Sequence, residues 1–149
     1  MNQFLDKLAL IVITLWVGAL WTTGGTAYVL FQNLQDRQLA GQLAGVLFTY
    51  VSYIGIFAGF YLLIHRLLSY GTSALKQGFF WAVFFMLILT LAGHFGIQPL
   101  LAQLKASAFP SDVMQSVFAS RFRNWHGVAS IAYLVECLLG FILVLRARS

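Results

Sequence analysis

Glu136 is the residue of this chain most able to do chemistry, because it is a carboxyl set within an otherwise uncharged apolar run. A charge at that depth of a membrane costs a few kcal/mol on insertion scales, about 3, so the group must be protonated, paired or turned to a polar cavity. Thr14, Ser52, Tyr53 and Thr90 lie at similar depth in the other apolar runs and are its expected hydrogen-bond partners. Such a group either glues helices together or carries a proton or cation. Two imidazoles form a second constellation. His94 sits late in the third run and His126 opens the fourth, so antiparallel packing brings both to the same half of the membrane. Gln98 follows His94 by one turn, while Arg121 and Arg123 flank His126. Two histidines on facing helices can ligate haem or a metal, and the arginines suit an anionic group such as a lipid phosphate or a haem propionate. Hydrogen bonding within a structural pocket is the plainer role for the same residues. Gly-rich phosphate loops, Gly-x-Ser-x-Gly elbows and His-Glu-x-x-His pairs are all missing, so the sequence leans away from an enzyme without excluding one.

What must position these groups is a set of membrane helices. Of the 149 residues 60% are hydrophobic and only 9% are charged, against about 25% charged in a soluble domain. The charges leave three long gaps, from Lys7 to Asp36, from Arg37 to Arg66 and from Lys76 to Lys105, and a fourth after Arg123 is broken only by Glu136. Each gap can hold the roughly 20 residues that span a hydrocarbon core. The sequence therefore predicts one all-α domain, an integral membrane four-helix bundle with spans at about 8–32, 39–68, 78–103 and 125–145. The first run is too long for a signal-peptide core and reads as an uncleaved helix. Pro99 predicts a kink late in the third helix. Pro110, Ser111 and Asp112 read as a helix start, giving a short amphipathic helix in the interface before the fourth span.

The net charge of +5 does not point to nucleic acid, because the basic residues are divided among the helix ends and form no run. Lys7, Arg66, Lys76, Arg146 and Arg148 fall on one side and Arg37, Lys105, Arg121 and Arg123 on the other, a small excess that places both termini in the cytoplasm. Gly41-x-x-x-Gly45 and Gly55-x-x-x-Gly59 put small residues on one face of the second helix, aided by Gly18 on the first; close packing inside the monomer is expected, with a homo-oligomer or a membrane partner as the alternative. Cys137 reads as a small packing residue and His65, beside Arg66, as a headgroup neighbour. Trp81 and Trp125 mark helix ends at the headgroups, whereas Trp16 and Trp21 lie deep enough to pack within the bundle.

The stretches Leu15-Trp16-Val17-Gly18-Ala19-Leu20-Trp21, Tyr28-Val29-Leu30-Phe31 and Ala40-Gly41-Gln42-Leu43-Ala44-Gly45-Val46-Leu47-Phe48 resemble a bacterial four-span membrane family of unknown function, similar to transmembrane protein 205 and to the copper-resistance-D-like superfamily. Phe122-Arg123-Asn124-Trp125-His126-Gly127-Val128-Ala129-Ser130 is similar to that family's His-Gly-x-x-Ser helix opening. The resemblance implies a multi-pass protein of the inner membrane with unsettled activity. More distant relatives oxidise protoporphyrinogen and carry a histidine in the first helix, where this chain has none. Two functions follow as expectations: a non-enzymatic membrane module, accessory or solute-handling, or a haem- or copper-binding protein in electron transfer or metal handling.

Overall fold

A computed structural model describes residues 3–147; Arg148, counted above among the basic residues, lies outside them. Five α-helices carry the chain: α1 (Gln3–Asn33), α2 (Arg37–Tyr70), α3 (Gly78–Ala92), α4 (Gln98–Ala108) and α5 (Ala119–Leu145). Helices α3 and α4 run on through a π-helical turn, Gly93–Ile97, so the bundle has four long apolar helices: Gln3–Asn33, Arg37–Lys76, Gly78–Ala108 and Ala119–Leu145. This is an all-α four-helix membrane bundle. Each helix packs on the next and α5 returns to α1, closing a ring.

The surface explains the membrane assignment better than helix length does. Ile11, Leu15, Phe57, Phe60, Ile64, Leu68 and Ile131 are all exposed, and a face this apolar has acyl chains as its natural neighbour. Inside, the helices are matched by size. The buried face of α2 is built largely from Ala40, Ala44, Ser52, Gly55, Ala58 and Gly59, which lets large residues of the neighbours lie against its backbone. On α1 the inward stripe is Ala9, Ile13, Trp16, Val17 and Leu20, and on α5 it is Glu136, Cys137, Gly140 and Leu143. A β-carbon on Gly140 would stand 3.3 Å from both methyls of Val17, which shows how closely α1 and α5 approach.

Helix ends follow local chemistry. The Asp36 carboxylate accepts the amides of Gln38 and Leu39 and caps α2. At the other end Gly71, with φ of 55°, turns the chain out of the helix in a region that residues with a β-carbon avoid. The connection beyond is a 3₁₀ helix, Gly71–Lys76. At Pro99 no sharp break occurs. The preceding π turn widens the backbone, with the Gln98 amide bonded to the Gly93 carbonyl, so the ring of Pro99 is accommodated and the helix continues.

The expected amphipathic helix before the fourth span shrinks to one 3₁₀ turn, Val113–Gln115, capped by the Asp112 carboxylate. The last long helix instead starts at Ala119, ahead of the predicted position 125. The reason is packing: Leu104, Ala108 and Val113 form a small second core against which Phe118 and Phe122 lie, so the segment is held against α4 and the first turns of α5. At the opposite end His65 has partners within the bundle. Its Nε2 lies 3.3 Å from the Asp6 carboxylate and its ring stacks near Tyr61, tying the end of α2 to the start of α1. Arg66 is buried over the rings of Phe79 and Tyr70, at 4.2 and 4.8 Å.

Candidate functional site

The polar residues of the bundle fall into two groups along α3 and its continuation. At the first, Glu136 is 6% exposed on the inner stripe of α5. Its Oε1 lies 2.5 Å from the Thr90 hydroxyl on α3, which also lies 2.9 Å from the Met86 carbonyl of its own helix. Trp16 of α1 is fully buried, and its indole N–H has no hydrogen-bond partner. Gly55 of α2 completes the group. A β-carbon there would be 2.7 Å from the Trp16 nitrogen and 3.2 Å from the Thr90 oxygen, so one point on α2 faces both polar atoms.

The second group is further along α3 and α4. Gln98 donates to the Ser52 hydroxyl at 3.2 Å, and the Thr49 hydroxyl lies 3.4 Å from the Gln98 carbonyl oxygen. Ser52 also donates to the Phe48 carbonyl, at 2.7 Å. Between the two groups His94 packs edge-on against Tyr53 at 5.0 Å and against Phe95 at 4.8 Å, and its Nδ1 is buried with no hydrogen-bond partner. His126 instead stacks on Phe122 at 5.8 Å, and the Lys105 ammonium lies 5.7 Å over the same ring.

Of the four residues expected beside Glu136, Thr90 touches it and the others do not. Thr14 is exposed and bonds back to the Leu10 carbonyl at 2.9 Å. It lies one residue, about 100° of helix, beyond Ile13 on the buried stripe, and so it is turned toward lipid. Tyr53 is displaced in the same way from Ser52, is 56% exposed and meets His94. Ser52 is buried but serves Gln98. Arg121 and Arg123 are exposed near the start of α5. The two imidazoles have separate neighbours, and among the described residues no three His, Cys, Asp or Glu side chains group together in a way that could hold a metal. The described donors therefore do not form a metal centre of three or more such ligands.

Trp16, Gly55 and Thr49 belong to these groups without having been singled out as site residues. Trp16 had a legible signal: with Ala9, Ile13 and Leu20 it repeats every three or four residues along one helix face. Thr90→Val removes the only side-chain partner of Glu136 among the described residues while keeping shape. Leaving the buried carboxyl unsatisfied is expected to cost about 1–3 kcal/mol of stability, read by denaturant titration in detergent; Thr90→Ser should restore most of it.

No curated protein and no solved structure matches the chain. A family model does, over residues 11–110, covering most of α1 and all of α2, α3 and α4 but stopping before Glu136. The chain belongs to the family described as a domain of unknown function, DUF4149.

Proposed function

We propose that this chain is a non-enzymatic module of the bacterial inner membrane that handles a small solute, either alone or as an accessory subunit, with the buried group around Glu136 as its working site. The observation that carries this reading is the Glu136 carboxyl seated on Thr90 inside the bundle. Buried ionisable residues within membrane spans are costly, and where they occur they mark ion and substrate pathways or proton relays. The Gln98, Ser52 and Thr49 group extends polar side chains along the interface of α2 with α3 and α4. The likeness to transmembrane protein 205 and to copper-resistance-D proteins in the motifs quoted above is in keeping with a membrane module and names no solute. Proteoliposomes loaded with a panel of small ions and acids test it: the wild type is expected to change the flux of at least one, and Glu136→Gln to abolish the change. Equal flux through wild-type, variant and protein-free vesicles overturns the reading.

The competing reading is a haem- or copper-binding protein, favoured by the unpartnered Nδ1 of His94. It requires absorbance in the Soret region, or stoichiometric copper, that is lost in His94→Ala. A colourless, copper-free wild type that takes up neither on reconstitution dismisses it.

Both termini are proposed to face the cytoplasm. Labelling of single cysteines at Gln35 and Ser111 from one side, and at Ser73 from the other, is the expected pattern; the native Cys137 is buried. Reactivity of all three from one side contradicts four crossings.

A further inference from the structure

With Glu136 protonated, the hydrogens around it cannot satisfy every polar atom. Thr90 has a single hydroxyl hydrogen and two acceptors within reach, the Met86 carbonyl and Glu136 Oε1. The indole N–H of Trp16 has no acceptor, although it and the Thr90 oxygen flank the same point above Gly55. When Glu136 carries a proton, its O–H can donate to Thr90, Thr90 donates to Met86, and the indole is left over. When that proton is gone, Thr90 turns its hydrogen to the carboxylate and Trp16 is the second donor at hand, while the Met86 carbonyl keeps its place in the helix ladder. Only the deprotonated arrangement gives the indole an acceptor.

We infer that Glu136 is an exchangeable proton site, that Thr90 and Trp16 are the donors that hold the carboxylate after the proton leaves, and that the proton is the solute handled. This rests on the proposed function above and names its solute. The step breaks the carboxyl O–H bond and delivers the proton to a water or buffer base at an aqueous face; the site goes from neutral to −1 and no electron moves. Reprotonation reverses it.

The chemistry of the donors decides for a proton over a metal cation. Hard cations need six or more oxygen ligands, whereas the side chains gathered here offer the carboxyl and one hydroxyl, and the indole presents the positive end of its N–H. An anion is disfavoured by Glu136 itself. Tyr133 and Cys137, the titratable neighbours on α5, do not substitute for it, since the Tyr133 hydroxyl donates to the Leu20 carbonyl and the Cys137 thiol is buried. From the other helices Thr90 faces it directly, with Trp16 and Gly55 beside Thr90, and none of these ionises in water. His94, one turn beyond Thr90 and buried at Nδ1, is the nearest titratable side chain along α3 toward the Gln98 group.

The test is infrared difference spectroscopy of the full chain in phosphatidylcholine–phosphatidylglycerol vesicles, acid against alkaline, with resonance Raman of the indoles on the same samples. A protonated-carboxyl band that is lost on raising the pH and absent from Glu136→Gln is expected. Its loss should coincide with a newly hydrogen-bonded indole, a signal missing from Trp16→Phe while the carboxyl band stays. Thr90→Ser should keep both. A carboxyl band that does not titrate, or that titrates with no indole response, overturns the inference. If Glu136→Gln does not fold, Glu136→Asp displaces the acid and must shift the band. Flux of some other solute with a silent carboxyl overturns this inference alone, whereas a titrating site without any flux overturns the proposed function, and the proton as its solute, while Glu136 stands as an exchangeable proton site.

Discussion

Trp16→Ala is expected to lower the stability of the bundle by about 3 kcal/mol, the lower end of the range for truncating a buried aromatic ring. Trp16 is the largest side chain with no exposure, and it lies in the core shared with Ile13, Leu20, Val51, Leu62, Val83 and Met86. The lower end applies because a helix released from the bundle still leaves its side chains in lipid, so the loss is one of packing contacts and not of transfer from water. Trp16→Phe keeps most of the ring volume and removes the unpartnered N–H, so about 1 kcal/mol or less is expected. Titration of folded protein with sodium dodecyl sulfate, followed by circular dichroism, measures both. Equal losses for the two variants would mean that the indole N–H has a partner whose removal matters more than the ring.

Three of the four glycines that α2 carries in two Gly-x-x-x-Gly motifs should respond with different signs. Gly55→Ala places a methyl 2.7 Å from the Trp16 nitrogen and 3.1 Å from the Thr90 methyl, neither of which can swing aside, since one belongs to a buried ring and the other to a short branched side chain. Overpacking of this kind is expected to cost about 1–3 kcal/mol. Gly59→Ala meets Leu87 down to its β-carbon, at 3.0 Å, and should behave similarly. Gly45→Ala meets nothing within 4 Å, so helix propensity alone acts and about 0.5–1 kcal/mol of stabilisation is expected. The same titration separates these outcomes. Destabilisation at Gly45 comparable to that at Gly55 would show that its face is occupied, as it would be by a second copy of the chain.

The reading of Glu136 as an inward-facing group rests on energy, and the energy was available in the sequence: a carboxyl deep in an apolar run is too costly to leave in lipid. Which residues it faces is a matter of helix rotation, and the sequence held little to set that angle. In a soluble helix polar residues mark the outer face. Here Ile11, Leu15, Phe57 and Phe60 cover the outside with the same kinds of side chain that fill the inside, so Thr14 and Tyr53 had depth in common with Glu136 but not direction. The small-residue stripe of α2 was the best surviving marker of phase, and Gly55 and Gly59 do point at α1 and α3.

By itself, then, the sequence determined the four long apolar helices, because the bilayer imposes a length and forbids charge at its centre. Asp36 as a cap and the turn after α2 were equally local matters. Only the tertiary structure decided the pairing of Thr90 with Glu136, the meeting of Gln98 with Ser52 and Thr49, the π turn that absorbs Pro99 and the extension of α5 back to Ala119. Each of these depends on how one helix is rotated and shifted against another, which is set by side-chain volumes meeting across an interface and not by any property of a single helix.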